Sequence, residues 1–224
     1  MISGMPASIV VTDCTDTAMV AKVTLAARPW CEDRSMIAAA GPGGSSSDRK
    51  VALLRGINVG RSARIAMADL RACTEESGCT EVRTVLATGN VVLTDPRTED
   101  ELRAVLEAAY ADRFGYDAVV QVLTRDAVEE AVAAYPFESL DEHHDYVVFS
   151  DDPAVTRAVA EAMGAAIEPG GTEVVTAGSG CVYWRVPKGA TLNSAAGKAS
   201  GNLAHDRHLT SRNLRTLHKI LAVG

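Results

Sequence analysis

Three short stretches of this chain carry side chains suited to holding an anion. They are Arg55-Gly56-Ile57-Asn58-Val59-Gly60, Gly89-Asn90 and Ser211-Arg212-Asn213, with Lys219 about two helical turns after Arg212. A guanidinium grips a carboxylate or phosphate through two parallel hydrogen bonds. Gly56 and Gly60 permit a left-handed backbone or a close ligand approach, and Asn58, Asn90 and Asn213 can orient a ligand through their amides. The first stretch is not a P-loop, because GxxxxGK[ST] is absent and no helix follows at once. A structural role stands beside each functional one. Arg55 can pair with an internal carboxylate while Asn58 closes a turn, and Thr88-Gly89-Asn90 between two strand-like runs is ordinary hairpin chemistry. Thr210 to Asn213 is expected to open a last helix over about 211–223. Arg212 and Arg215 near its start oppose the helix dipole, and an anion at that end would relieve the opposition. A salt bridge to acidic residues is the alternative there.

Other reactive side chains give weaker patterns. His143 and His144 are adjacent in the acidic run DEHHD, His205 and His208 precede the last helix, and His218 lies within it. No HExxH or comparable metal spacing exists. Cys73 and Cys181 lie in apolar runs and read as core rather than as nucleophiles. Ser62 and Ser211 have no identifiable base, and no two carboxylates stand out as an acid–base pair. No cofactor is called for.

The elements that position these residues follow from periodicity. Residues 49–55 form a buried strand, 67–77 a helix, and 82–87 and 91–93 a hairpin around Thr88-Gly89-Asn90. Thr98 followed by Glu101 has the spacing of a capping box, and Leu102, Val105, Leu106, Ala109 and Tyr110 give the next helix its apolar stripe. A strand over 117–123 completes β-α-β-β-α-β, the ferredoxin-like order. A helix over 125–134 and a strand over 146–150 follow. Asp152-Pro153 then starts a further helix, and strands follow at 173–176 and 181–186. The second half thus repeats β-α-β-β but closes on a polar, small-residue stretch at 189–204. The expectation is an α+β protein of two ferredoxin-like halves in tandem, 49–124 and 125–224. A flexible extension over 1–48 precedes them, ending in the linker-like AAAGPGGSSSD.

Composition narrows the functional classes. The net charge of −7 argues against a dispersed nucleic-acid surface, although basic residues cluster locally. Arg49 to Arg64 holds five basic and no acidic residues, and Arg185 to Lys219 holds seven basic and one acidic. If folding joins these stretches, they make an anion-attracting face on an acidic protein. Five cysteines without a framework spacing point to a reducing, cytoplasmic setting. No stretch approaches the roughly 18 apolar residues of a membrane span, and the start lacks the basic n-region of a signal peptide.

VALLRGINVG at 51–60, MADLR at 67–71, VRTVLATGNVVL at 82–93 and TSRNLRTLHKI at 210–220 resemble the DUF1697 family of bacterial proteins. The resemblance runs over about residues 50–223 and implies a duplicated α+β fold of ferredoxin-like character. It implies no chemistry. Where the family pattern has TRNW, this chain has Ser211-Arg212-Asn213-Leu214, which removes a large stacking surface. The functional expectation is binding of a phosphate-bearing small molecule or nucleotide through an Arg/Asn-lined face. The alternatives are a non-catalytic protein-interaction module and a single-stranded nucleic-acid binder using sheet aromatics. Oligomeric state is left open.

Overall fold

Val51, Ala52, Leu53 and Leu54 are four consecutive apolar residues, and all four are buried. Such an unbroken run suits a strand covered on both faces. The computed structural model describes residues 48–58, 64–115, 117–168, 170–203 and 209–223. The expected extension, apart from its last residue, lies outside the described residues. So do Gly60, Ser62, His205 and His208.

The run lies in β1 (Arg49–Arg55), followed by α1 (Met67–Glu76), β2 (Thr80–Val85), β3 (Asn90–Thr94), α2 (Glu99–Phe114) and β4 (Val119–Thr124). The four strands form an antiparallel sheet in the order β2-β3-β1-β4. Alternation along β1 sends Ala52 and Leu54 toward Leu70, Leu102, Leu106 and Tyr110, and sends Val51 and Leu53 to the opposite face. The capping box of α2 is present. Thr98 Oγ1 accepts from the Glu101 amide at 3.3 Å, and the Glu101 carboxylate accepts from the Thr98 amide at 3.0 Å.

The chain continues through α3 (Arg125–Ala133), β5 (His143–Ser150), α4 (Pro153–Ala166), β6 (Val174–Ala177), β7 (Cys181–Pro187), α5 (Ala195–Leu203), β8 (Leu209–Asn213) and α6 (Leu214–Leu221). A second antiparallel sheet has the order β6-β7-β5-β8. Two expectations are corrected here. The polar stretch at 189–204 contains α5, so the second half also runs β-α-β-β-α-β. Its small residues are a packing requirement, since α5 packs on α4 and Ala196 is fully buried. A Cβ on Gly197 would come within 2.2 Å of the Thr191 carbonyl. The last helix begins at Leu214, not Ser211. Thr210, Ser211 and Arg212 are strand residues, paired with Phe149, Val148 and Val147 of β5. Sheet pairing overrides the local preference. The cap is Asn213, whose Oδ1 accepts from the Arg215 amide at 2.9 Å.

The protein is therefore α+β, with two four-stranded antiparallel sheets and six helices among the described residues. Helices α1 and α2 cover one face of the first sheet, and α4 and α5 cover one face of the second. The remaining faces share a central core with α3 and α6, built from residues such as Leu53, Val92, Val128, Val147, Phe149 and Leu217. Both faces of both sheets are consequently packed. The open sheet platform on which single-stranded RNA would stack is absent among the described residues. No helix among them is long and apolar enough to cross a membrane.

Candidate functional site

Of the three stretches expected to face a ligand, two meet in the interior, through Gly89-Asn90 and Arg212. Asn90 shares the inner face of β3 with Val92, and Arg212 is paired with Val147 of the inner face of β5. Arg212 Nε donates to Asn90 Oδ1 at 2.6 Å. Its Nη1 donates to Thr210 Oγ1 at 2.7 Å and to the Ser211 carbonyl at 3.0 Å. Its Nη2 donates to the Leu54 carbonyl at 2.6 Å and the Gly89 carbonyl at 3.3 Å. A guanidinium has five N–H donors, and these five bonds engage all of them. Every acceptor is neutral. Burial pushes the Arg212 pKa down to about 10, so the side chain is still a cation at neutral pH.

The other residues of this face are similarly occupied. Asn90 is fully buried, and its Nδ2 donates to the Val85 carbonyl at 2.7 Å and to Thr88 Oγ1 at 3.0 Å. Asn58 has φ 57°, donates to the Ile65 and Ala87 carbonyls, and accepts from the Ile65 amide at 2.8 Å. Gly56 (φ 71°) begins that loop, and Gly89 (φ 75°) ends the 86–89 turn. Arg55, half-buried at the end of β1, has an interaction of its own. Ser211 is exposed on β8, and Lys219 is exposed in the last turn of α6. Lys219 is thus about 7.5 Å along the axis from the helix start, where its charge favours the dipole. The Arg/Asn convergence is a hydrogen-bonded joint between the two sheets, with its donors spent on backbone and amide oxygens.

A pocket of about 190 Å³ opens instead where β5 begins, beside the first turn of α6 and the segment after α3. Its polar lining includes His143, Asp145, Asn213, Arg215 and His218, and its apolar lining includes Phe137 and Leu214. Arg215 and His218 are exposed and three residues apart on α6, hence on one helix face. The Arg215 side chain has no partner among the described residues, and the first turn of α6 holds no acidic residue. The wall behind is tied by hydrogen bonds. Asp145 Oδ1 accepts from Tyr135 Oη at 2.6 Å and from Arg185 Nε at 2.8 Å. Arg185 also donates to the Glu138 carbonyl and lies over the Phe137 ring at 5.1 Å. Burial, and then the hydrogen bond to Asp145, raises the pKa of the Tyr135 hydroxyl far above its ordinary value. His144 borders the pocket too, with its ring packed edge-on against Tyr146. Among the described residues no three His, Cys, Asp or Glu side chains converge as metal ligands.

Sequence reasoning noted Arg215 and the histidines without joining them. The signal was the period of two in β5. Counting back from Phe149 and Val147 on the core face gives Asp145 and then His143. The acidic neighbours of the His pair made it read as a loop.

The family model described as "Protein of unknown function (DUF1697)" matches residues 48–183. The C-terminal TSRNLRTLHKI motif lies beyond the matched range. No curated protein matches the chain. Among solved structures, the chain is similar to the conserved bacterial protein SP0830 from Streptococcus pneumoniae, at 24% identity and a TM-score of 0.63. That likeness covers 78% of this chain and 97% of that one. It bears on the fold alone.

Proposed function

The chain belongs to the DUF1697 family, whose description assigns no activity, and from its own geometry we propose that it binds a small anionic molecule in the pocket between β5 and α6. The observation that carries this reading is Arg215. It is a cation at a helix N-terminus, where its charge is unfavourable, with no acidic neighbour in its turn and with a pocket beside it. An anion there would satisfy the guanidinium and the dipole together. His218 adds a second polar group on the same helix face, and Asn213 holds the helix start in place. The pocket is smaller than the roughly 300–1,000 Å³ common for drug-sized ligands. It suits a small carboxylate or a single phosphate group better than a whole nucleotide. The Arg/Asn face around Arg212 does not compete for this role, because its donors are already engaged.

Calorimetric titration with inorganic phosphate, methylphosphonate, propionate and lactate tests the reading, on the native protein and on Arg215→Ala. The expected result is binding of at least one of these anions, weakened at least about tenfold by the substitution, as for loss of a charge-assisted hydrogen bond. Equal affinity in the two proteins, or no binding of any anion, would overturn it.

The same reading includes two finer structural proposals. Each half is taken as ferredoxin-like, supported by the strand orders β4-β1-β3-β2 and β8-β5-β7-β6. The halves are taken as 49–124 and 125–224. A cytoplasmic setting is kept as part of the proposal, in keeping with the buried free thiols of Cys73, Cys79 and Cys181.

A further inference from the structure

The pocket exists because a strand ends. The β5–β8 ladder runs from Ser150–Leu209 to Tyr146–Asn213, and there β8 gives way to α6. Residues 143–145 of β5 keep β7 on one side and have no strand among the described residues on the other. Asp145 lies one residue beyond the last pair on β5, and Arg215 lies two residues beyond it on the facing segment. Neighbouring strands are about 4.8 Å apart, so the two residues flank one opening, and both line the pocket. Their charges are opposite, yet Asp145 pairs with Arg185 and Arg215 with none of the described residues.

The two carboxylate oxygens of Asp145 are used unequally. Oδ1 accepts from both Tyr135 Oη and Arg185 Nε. Oδ2 accepts from none of the described residues. It is not among the buried unpaired atoms, and the side chain is 14% exposed, so this oxygen is reachable. An ionised carboxylate only accepts, at about four lone-pair sites, and the share belonging to Oδ2 is open. A ligand at Arg215 thus meets a cation on one side and an open carboxylate oxygen on the other. A plain anion satisfies the first and is repelled by the second. An acid that also carries a cationic donor satisfies both, through charge-assisted hydrogen bonds about twice as strong as neutral ones. Phe137, Leu214 and the exposed Leu140 give the pocket an apolar side for a short hydrocarbon body.

Resting on the anion-binding reading above, we propose that the pocket selects small amino acids in the broad sense, with the acid group at Arg215 and the ammonium on Asp145 Oδ2. The shared chemistry is an ammonium close to an acid group, which an aminocarboxylate or an aminoalkyl phosphonate can both supply. The ammonium turns the repulsion from Asp145 into attraction, and the analogue lacking it keeps the repulsion.

The test is a pairwise calorimetric comparison on the native protein, alanine against propionate and aminomethylphosphonate against methylphosphonate, repeated on Asp145→Asn. The expected result is that the amino member of at least one pair binds at least about tenfold more tightly. Asp145→Asn is expected to abolish that difference while weak binding of the plain acid remains. The pair showing the preference tells carboxylate from phosphoryl chemistry. Lactate, close to alanine in size but without the ammonium, gives an answer on the native protein even where Asp145→Asn does not fold, and an affinity equal to that of alanine would overturn the ammonium assignment. Equal affinities within both pairs would overturn it too and leave the anion reading standing. A preference that survives in a folded Asp145→Asn protein would remove Asp145 from the site. Failure of all five compounds to bind would overturn both readings.

Discussion

Asp95 shows how much a single buried side chain organises here. Its carboxylate accepts from the Arg97 amide at 2.9 Å and from Arg97 Nε at 2.8 Å, and pairs with Nη2 at 2.5 Å. Arg97 also reaches the Ser77 carbonyl at 3.0 Å, tying the end of α1 to the end of β3. The Arg97 hydrogen bond holds the Asp95 carboxyl below the ordinary carboxylate range. A depressed acid contributes stability above its unfolded value, about 3.9, and loses that contribution as pH falls through the folded value. Asp95→Asn is thus expected to lose about 2 kcal/mol at pH 7, with the gap to the native protein closing as pH drops below about 4. Urea unfolding across that range checks it, and a gap independent of pH would contradict it. Neighbouring Cys79 has its thiol pushed up to about 12, by burial first and by Asp95 second. It is packing, not a nucleophile.

At the scale of elements, the β2–β3 connection is the tightest joint. Gly89 has φ 75°, and a Cβ there would lie 2.4 Å from Ile57 Cγ2 and 2.9 Å from Leu54 Cβ. Its carbonyl accepts from the Leu54 amide at 2.8 Å as well as from Arg212. Gly89→Ala therefore combines backbone strain with overpacking and is expected to cost about 2–4 kcal/mol in a denaturant melt. A loss under about 0.5 kcal/mol would mean that the turn is less constrained than described. The glycine spacing of the RGINVG and TGN stretches was legible as special in the sequence. Its purpose was not, because the contact that needs it comes from Ile57 across a loop and from Arg212 more than a hundred residues away. The start of helix α2 was readable, because its cap and the stripe that follows are both local. Helix α5 was not, because small residues such as Gly197 and Ser200 look like a loop until α4 is beside them. Strand β8 was taken for helix because only pairing with β5 distinguishes the two.

At the scale of the whole molecule, two sheets of the same strand order share one core, and Arg212 joins them. Of the basic residues expected on an open face, Arg212 is inside, its guanidinium saturated by neutral oxygens. The cation proposed for the anion is Arg215, three residues further along, where β8 has given way to α6. Unfolding the native protein, Arg212→Ala and Arg215→Ala in urea, each with and without the tightest-binding anion of the panel, separates these roles most directly. Arg212→Ala is expected to lose about 3 kcal/mol or more, from the lost packing and the stranded Leu54 carbonyl and Asn90 Oδ1. Arg215→Ala is expected to stay within about 0.5 kcal/mol of the native protein but to lose the stabilisation that the anion confers. An Arg212→Ala protein of native stability that no longer responds to the anion, beside an Arg215→Ala protein that still does, would contradict this division of roles.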